Sequence, residues 1–283
     1  MMKVALEHGI NCFDNAEAYG NSLVAWNMGA VIKMDVVDTI WARENLVVIT
    51  KVFFGSKGWF EGGPNDQGLS RKHIVEGTKT YLVRLQFDYV DVIFCHRPNP
   101  STTIEETVRA MNFVIDQGWA FYWDTSSWSS AEIIEACDIT DCLGLVRPIV
   151  EQPEYTLVER RKVEIEYELL YTKHGLDNAG LKAMPEFDDR VATADKLKPI
   201  ADELGVTLAQ LAITWCLSND KVSTVIVGAS RPSQLKENIK TLGVVEKLTP
   251  EGKQKIEVLV TLQAKEIRPD ALSMVRTRHL QFG

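Results

Sequence analysis

Short apolar runs alternate with stretches of helical spacing along this chain. Ile10–Phe13 leads into Asp14, Leu46–Lys51 reads LVVITK, and Val90–Cys95 reads VDVIFC before His96. Ala120–Thr125 (AFYWDT), Ile149–Gln152 (IVEQ) and Thr224–Gly228 (TVIVG) continue the series. Each run is bounded by polar or glycine signals, and the spacing predicts six strands. The runs are continuous rather than alternating, which suits strands buried on both faces of a parallel sheet.

Helical patterns fill the intervals. Ser70–Arg84 opens with a serine cap, and Thr103-Ile104-Glu105-Glu106 reads as a capping box for a helix stopping at Gly118. Ser129-Ser130-Ala131-Glu132 is a second box, for a helix to about Ile139. Thr207–Leu217 has helical spacing, and Pro232 marks the start of a further helix. Repeated strand–helix units predict a parallel α/β sheet, open or closed into a barrel. The stretch from Gln152 to Thr224 carries no strand-like run and reads as helices over Val158–Tyr171 and Ala192–Leu204, joined by Leu176–Arg190. Met1–His8 reads as the last turns of a helix, so a barrel's first strand would lie upstream of this sequence.

Composition narrows the function. The 283 residues are 45% hydrophobic and 25% charged, as in ordinary globular proteins, and suit a single domain over residues 1–283. A formal net charge of -8 argues against general nucleic-acid binding. No apolar run approaches the roughly 20 residues of a membrane helix, and no signal peptide opens the chain. A cytoplasmic protein without membrane insertion is therefore expected. Cys12, Cys95, Cys137, Cys142 and Cys216 form no CxxC pair and read as reduced, mostly buried thiols. His8, His73, His96, His174 and His279 lack HxxxH or HxH spacing, so no metal site is expected.

The strand ends carry the chemistry. The first run passes into Asp14-Asn15-Ala16-Glu17-Ala18-Tyr19-Gly20, the second ends in Thr50-Lys51, and the third in His96-Arg97-Pro98. In a parallel barrel all strand C-termini open on one face, so Asp14, Tyr19, Lys51 and His96 would converge. A phenol, with an ordinary pKa near ~10, is a poor proton donor at neutral pH. A neighbouring ammonium favours the phenolate, and a carboxylate holds that ammonium charged and oriented. A histidine can hydrogen-bond a substrate carbonyl. Such a set would protonate a carbonyl oxygen as a hydride reaches its carbon. Gly228-Ala229-Ser230-Arg231 joins a strand to a helix start, where free N–H groups attract an anion such as a 2′-phosphate and Arg231 adds charge. Ser230 acting only as a cap is the alternative; the strand-to-helix context favours phosphate.

The D-x-A-x-x-Y-G run (Asp14–Gly20), the Thr50-Lys51 pair and His96 resemble the aldo-keto reductases. Within them, the branch containing the β subunits of voltage-gated potassium channels is similar over TKVFFG (Thr50–Gly55), Arg97–Pro100, EETVRAM (Glu105–Met111), Val114–Trp123, Thr125–Ala136, EQPEY (Glu151–Tyr155) and GASRPSQLKENI (Gly228–Ile239). The resemblance implies a (β/α)8 barrel of TIM type that binds NADPH without a Rossmann fold. It implies Tyr19 as general acid, Lys51 and Asp14 as its tuning pair, and His96 as the carbonyl-orienting group. It places Ser126 and Gln152 at the nicotinamide carboxamide, and Ser230, Gln234, Glu237 and Asn238, beside Arg231, around the adenosine end.

The chain also departs from that pattern. The first strand and the seventh strand's W-S-P-L segment are missing: after Lys173-His174-Gly175-Leu176 the sequence passes straight to Asp177-Asn178-Ala179. An incomplete barrel is expected. Asp124 stands where a glycine is expected, either repelling phosphate or facing solvent. Three functional readings remain open. One is an NADPH-dependent reductase of small aldehydes or ketones. Another is a cytoplasmic, redox-sensing β-type channel subunit, tetrameric in that branch. The third is a truncated, inactive variant.

Overall fold

The computed structural model describes residues 1–37, 42–57, 63, 65–174, 177–180 and 187–260. They fall into two compact units: residues 11–151, and residues 1–10 with 152–260.

The 11–151 unit is a run of parallel strands, β1 (Cys12–Asp14), β2 (Val47–Val52), β3 (Val90–Cys95), β4 (Ala120–Thr125) and β5 (Val150–Glu151), each paired with the next. Register sets Asp14 against Ile49, Lys51 against Phe94, and Cys95 against Thr125. Val48, Ile49, Thr50, Lys51 and Val52 are all buried, as are Ile93, Phe94 and Cys95. Both faces of β2 are therefore covered, the condition that continuous apolar runs predict. Strands β3 and β4 coincide with the expected runs. Only two residues of Ile149–Gln152 make β5, because the N–H groups of Ile149 and Val150 both donate to the Asp124 carboxylate.

The helices follow their caps. Ser70 Oγ accepts from His73 N at 3.3 Å ahead of the helix Arg71–Leu85, and Gln86 closes it in the left-handed region (φ 58°). Thr103 caps the helix Ile104–Asp116, but the expected box is only half made. Thr103 Oγ accepts from Glu106 N, while the Glu106 carboxylate accepts from Arg71 N at 2.9 Å. The Ser129–Glu132 box forms in both directions, and its helix runs past Ile139 to Leu143, stopping at left-handed Gly144. The helix Leu23–Val37 lies on the helix Arg71–Leu85 through Gly29, where a Cβ would stand 2.0 Å from the Leu85 carbonyl oxygen. Trp123 and Trp128 are buried in this unit, Trp123 donating to Val146 O.

The other unit opens with the helix Met2–Leu6. Its strands are β6 (Asp177–Gly180) and β7 (Val222–Val225), paired in parallel with an irregularity between Asn178 and Ala179. No strand is expected between Gln152 and Thr224. Backbone pairing with β7 nevertheless makes one of the sequence DNAG, a case of partner context overriding weak strand propensity. The remaining elements include a π-type turn at Lys162–Glu166, which breaks the expected Val158–Tyr171 helix, and helices Glu168–His174, Phe187–Leu204, Leu208–Leu217, Pro232–Ile239 and Pro250–Leu259. Tyr155, Val163, Leu197, Leu211, Trp215 and Ile256 are central to the core. The Arg160 guanidinium lies 4.9 Å over the Trp215 ring and pairs with Glu164 (2.7 Å) and Glu257 (2.6 Å).

Among the described residues no single helix is long and apolar enough to cross a membrane. One bent pair, Thr193–Leu204 with Leu208–Leu217, passes by length and composition only, and its buried apolar residues belong to this core. The C-terminal segment Arg276–Gly283 and the Gly175-Leu176 step lie outside the described residues.

Candidate active site

In the 11–151 unit the C-terminal ends of β1, β2 and β3 bring Asp14, Lys51 and His96 together, and the loop after β1 adds Tyr19. Lys51 is almost wholly buried (1% exposed). Its ammonium donates to Asp14 Oδ2, to the Asn15 carbonyl at 3.3 Å and to the Tyr19 hydroxyl oxygen at 3.4 Å. The same ammonium is 5.1 Å from the Tyr19 ring centroid. The His96 ring meets Tyr19 edge-on, centroids 5.8 Å apart at 78°, and Phe54 likewise at 5.0 Å. Burial, then the Lys51 and Arg97 cations, holds His96 well below the usual histidine range, so its ring is neutral at physiological pH. Its Nδ1 has no hydrogen-bond partner among the described residues.

The loop carrying Tyr19 is held by its own polar groups. Asn15 N donates to Ile49 O and Glu17 N to Lys51 O, both at 3.1 Å, extending the β1–β2 ladder past Asp14. Ser22, in the left-handed region (φ 70°), donates to Glu17 O and accepts from Arg84. Glu17 is a buried carboxylate that the sequence reading leaves without a role. Its signal was one acidic residue between alanines that are both buried.

Ser126 follows β4, is buried, and its N–H donates to Cys95 O at 3.0 Å. Ser127 after it takes φ 59°. Asp124 neither faces solvent nor stands open to a phosphate. It is 0% exposed, and its Oδ1 accepts from Ile149 N and Val150 N, both at 2.6 Å. Burial raises its carboxyl well above the usual range; these two N–H groups oppose that rise, and Glu151 adds to it. Burial likewise raises the Cys95 thiol.

The other expected cofactor residues lie in the second unit. Gln152, which follows β5 in sequence, is buried. At the start of the helix Pro232–Ile239, Ser230 N (3.0 Å), Ser230 Oγ (2.8 Å) and Arg231 N (3.2 Å) all donate to Gln234 Oε1. The N–H groups expected to be free are thus served by a side-chain oxygen of the same helix. Three donors converging on one oxygen is also the arrangement a phosphate oxygen requires, with Arg231 exposed beside it. Glu237 and Asn238 are half-buried on the same helix, and the Glu237 carbonyl accepts from Gln210.

Parallel strands with helical connections, and a lysine–carboxylate–tyrosine cluster at the strand ends, define a class: an incomplete (β/α)8 barrel with its polar site at the carboxyl ends of its strands. The comparisons give the family. A model of the Aldo/keto reductase family matches residues 1–184 and 166–260, and the chain belongs to that family. The match comes as two pieces overlapping at 166–184. The chain is 48% identical over 304 residues to a probable voltage-gated potassium channel subunit beta of Arabidopsis thaliana, covering 96% of this chain and 89% of that protein. A protein of the same description from Oryza sativa subsp. japonica is 46% identical over 296 residues, covering 94% and 88%. Both alignments are longer than the chain, so these relatives carry residues that it lacks. Among solved structures, a thermostable aldo-keto reductase in complex with the inhibitor epalrestat superposes with a TM-score of 0.73 at 26% identity, covering 91% of this chain and 85% of that one. The family is one of oxidoreductases that generally use nicotinamide cofactors.

Proposed function

We propose that the chain reduces small aldehydes or ketones with NADPH, using Tyr19 as the proton donor. The observation carrying this reading is the Lys51 ammonium, buried between Asp14 and the Tyr19 hydroxyl. The Tyr19 oxygen accepts from Lys51, so its own proton is left for a substrate carbonyl oxygen. After transfer the phenolate stays beside an ammonium already paired with Asp14. The neutral His96 ring has an N–H with which to orient the carbonyl. When bound, the dihydronicotinamide would supply the hydride to the carbonyl carbon. Ser126 and Gln152 would hold its carboxamide, and Ser230, Arg231, Gln234, Glu237 and Asn238 its adenosine end. The donors now converging on Gln234 Oε1 fit a 2′-phosphate oxygen, which supports NADPH over NADH.

The test is an NADPH titration followed by tryptophan fluorescence, then carbonyl turnover by wild type and Tyr19→Phe. Saturable micromolar binding in both, with turnover lost in Tyr19→Phe, is expected. Equal turnover removes Tyr19 from the role. No binding removes the cofactor assignment and leaves a non-catalytic variant of the family.

A second reading, a cytoplasmic β-type channel subunit assembled as a homotetramer, draws support from the two plant relatives described as such subunits. Size-exclusion chromatography with light scattering tests it. A tetramer supports this reading, and a strict monomer counts against it.

A further inference from the structure

We infer that Glu17, held by His73, is a positioning residue for Tyr19; this rests on the tyrosine-acid reading above. Glu17 lies two residues before Tyr19 and is 4% exposed; His73 is 5% exposed. One carboxylate oxygen, Glu17 Oε1, accepts from Phe53 N (2.5 Å), Gly55 N (2.8 Å) and His73 Nε2 (3.1 Å). Glu17 thereby joins three segments: the Tyr19 loop, the turn after β2 and the first turn of the helix Arg71–Leu85. His73 is itself fixed there, its backbone N–H donating to Ser70 Oγ. The second oxygen, Oε2, lies 3.2 Å from where a Cβ on Gly77 would stand, so the carboxylate fills the space that a glycine leaves on this helix.

The turn tied down by Glu17 also carries Phe54, whose ring meets His96 edge-on. One buried latch therefore sets two sides of the site. The backbone bond from Glu17 N to Lys51 O adds the third, because Lys51 donates to Tyr19. A buried carboxylate accepting charge-assisted bonds is costly to leave unmade. Loss of the latch lets the Tyr19 loop drift. A shift of about 1 Å in a reacting group costs on the order of 100-fold in rate without touching the substrate.

The experiment compares wild type, Glu17→Ala, Glu17→Gln, His73→Phe and the Glu17→Ala/His73→Phe pair. Turnover, KM and NADPH affinity are read alongside amide exchange at residues 15–22 and 53–55. Glu17→Ala is expected to lower kcat by about 10- to 100-fold, with KM and cofactor affinity within about twofold. Exchange should rise in these two segments and not in β3 or β4. Glu17→Gln keeps an acceptor oxygen for Phe53 N and Gly55 N, and should recover most of kcat. The pair should be no worse than Glu17→Ala alone, because both changes break one latch. Wild-type kcat or unchanged exchange at residues 15–22 in Glu17→Ala overturns the inference. So does a loss spread evenly over kcat, KM and exchange throughout the unit. If Glu17→Ala does not fold, Glu17→Gln and His73→Phe bear the same test at smaller amplitude. An inactive wild type defeats the reductase reading, while exchange still decides whether Glu17 latches the loop.

Discussion

Replacing Asp124 by alanine removes the acceptor for the N–H groups of Ile149 and Val150, both 2.6 Å from Oδ1. A protein hydrogen bond contributes about 1 kcal/mol net, more when its acceptor is charged, and truncation at a site with no exposure also leaves a cavity. Asp124→Ala is therefore expected to cost about 2–4 kcal/mol and to loosen the start of β5. Asp124→Asn keeps the acceptor oxygen and should cost less than about 1 kcal/mol in mild acid. The two carboxamide and carboxyl forms then separate with pH. Burial raises the Asp124 carboxyl well above its ordinary value. A carboxyl with a raised folded-state pKa contributes most to stability below its unfolded pKa, near ~3.9. That contribution declines as pH rises through the folded-state value. Between those limits wild type should lose up to about 1.4 kcal/mol per pH unit relative to Asp124→Asn, then level off. Urea unfolding of the three proteins from pH 4.5 to 9 reads all of this. The reasoning fails if Asp124→Asn loses as much as Asp124→Ala. It also fails if the wild-type–Asn difference stays constant across the range.

Two further substitutions test the packing and the buried charge. Gly29→Ala puts a Cβ 2.0 Å from the backbone oxygen of Leu85, so the two helices must part, at a cost of about 2–3 kcal/mol in urea unfolding; an unchanged midpoint would mean they are not in contact there. Lys51→Met removes the ammonium paired with Asp14 and should cost about 3–5 kcal/mol, of which Lys51→Met with Asp14→Leu recovers part. Calorimetry showing the single and double variants equally unstable would refute that coupling.

Much of the 11–151 unit was legible in the sequence because each signal there is local. VDVIFC and AFYWDT are strand runs long enough, and apolar enough, to declare themselves, and β3 and β4 coincide with them. Ser70, Thr103 and Ser129 stand where caps are needed. The convergence of Asp14, Tyr19, Lys51 and His96 was legible from position, since strand ends of a parallel sheet share one face. What escaped depends on contacts distant in sequence. Strand β6 is made by its pairing with β7, and nothing in DNAG favours a strand. Half of the Thr103 box is lost because Glu106 has a better-placed donor in Arg71. Asp124 reads as a misplaced charge until the N–H groups of Ile149 and Val150, remote in sequence, are seen to point at it. Glu17 reads as one polar residue in a loop until His73 is placed against it.

The contacts described above around Asp14, Tyr19, Lys51 and His96 lie, among the described residues, between residues 14 and 96. Asp14 and Lys51 pair directly, β1 and β2 set their register, Glu17 and Ser22 hold the Tyr19 loop, and Phe54 backs His96. None of these contacts uses residues 166–184, where the family match divides. Among the described residues, the contacts that bring Asp14, Tyr19, Lys51 and His96 together are thus made without residues 166–184. The Ser230, Arg231 and Gln234 cluster is also internally satisfied, its donors met by Gln234 Oε1, so a phosphate there must displace that oxygen rather than fill empty space. On the reading proposed above, cofactor affinity depends on the Ser230, Arg231 and Gln234 cluster, and turnover on residues 14–96. Gln234→Ala separates them: once displaced by the phosphate, the Gln234 side chain is left to hold the adenosine end, so its loss should weaken NADPH binding several-fold while kcat at saturating NADPH holds. Unchanged or tighter NADPH binding in that variant would remove Gln234 from the cofactor site.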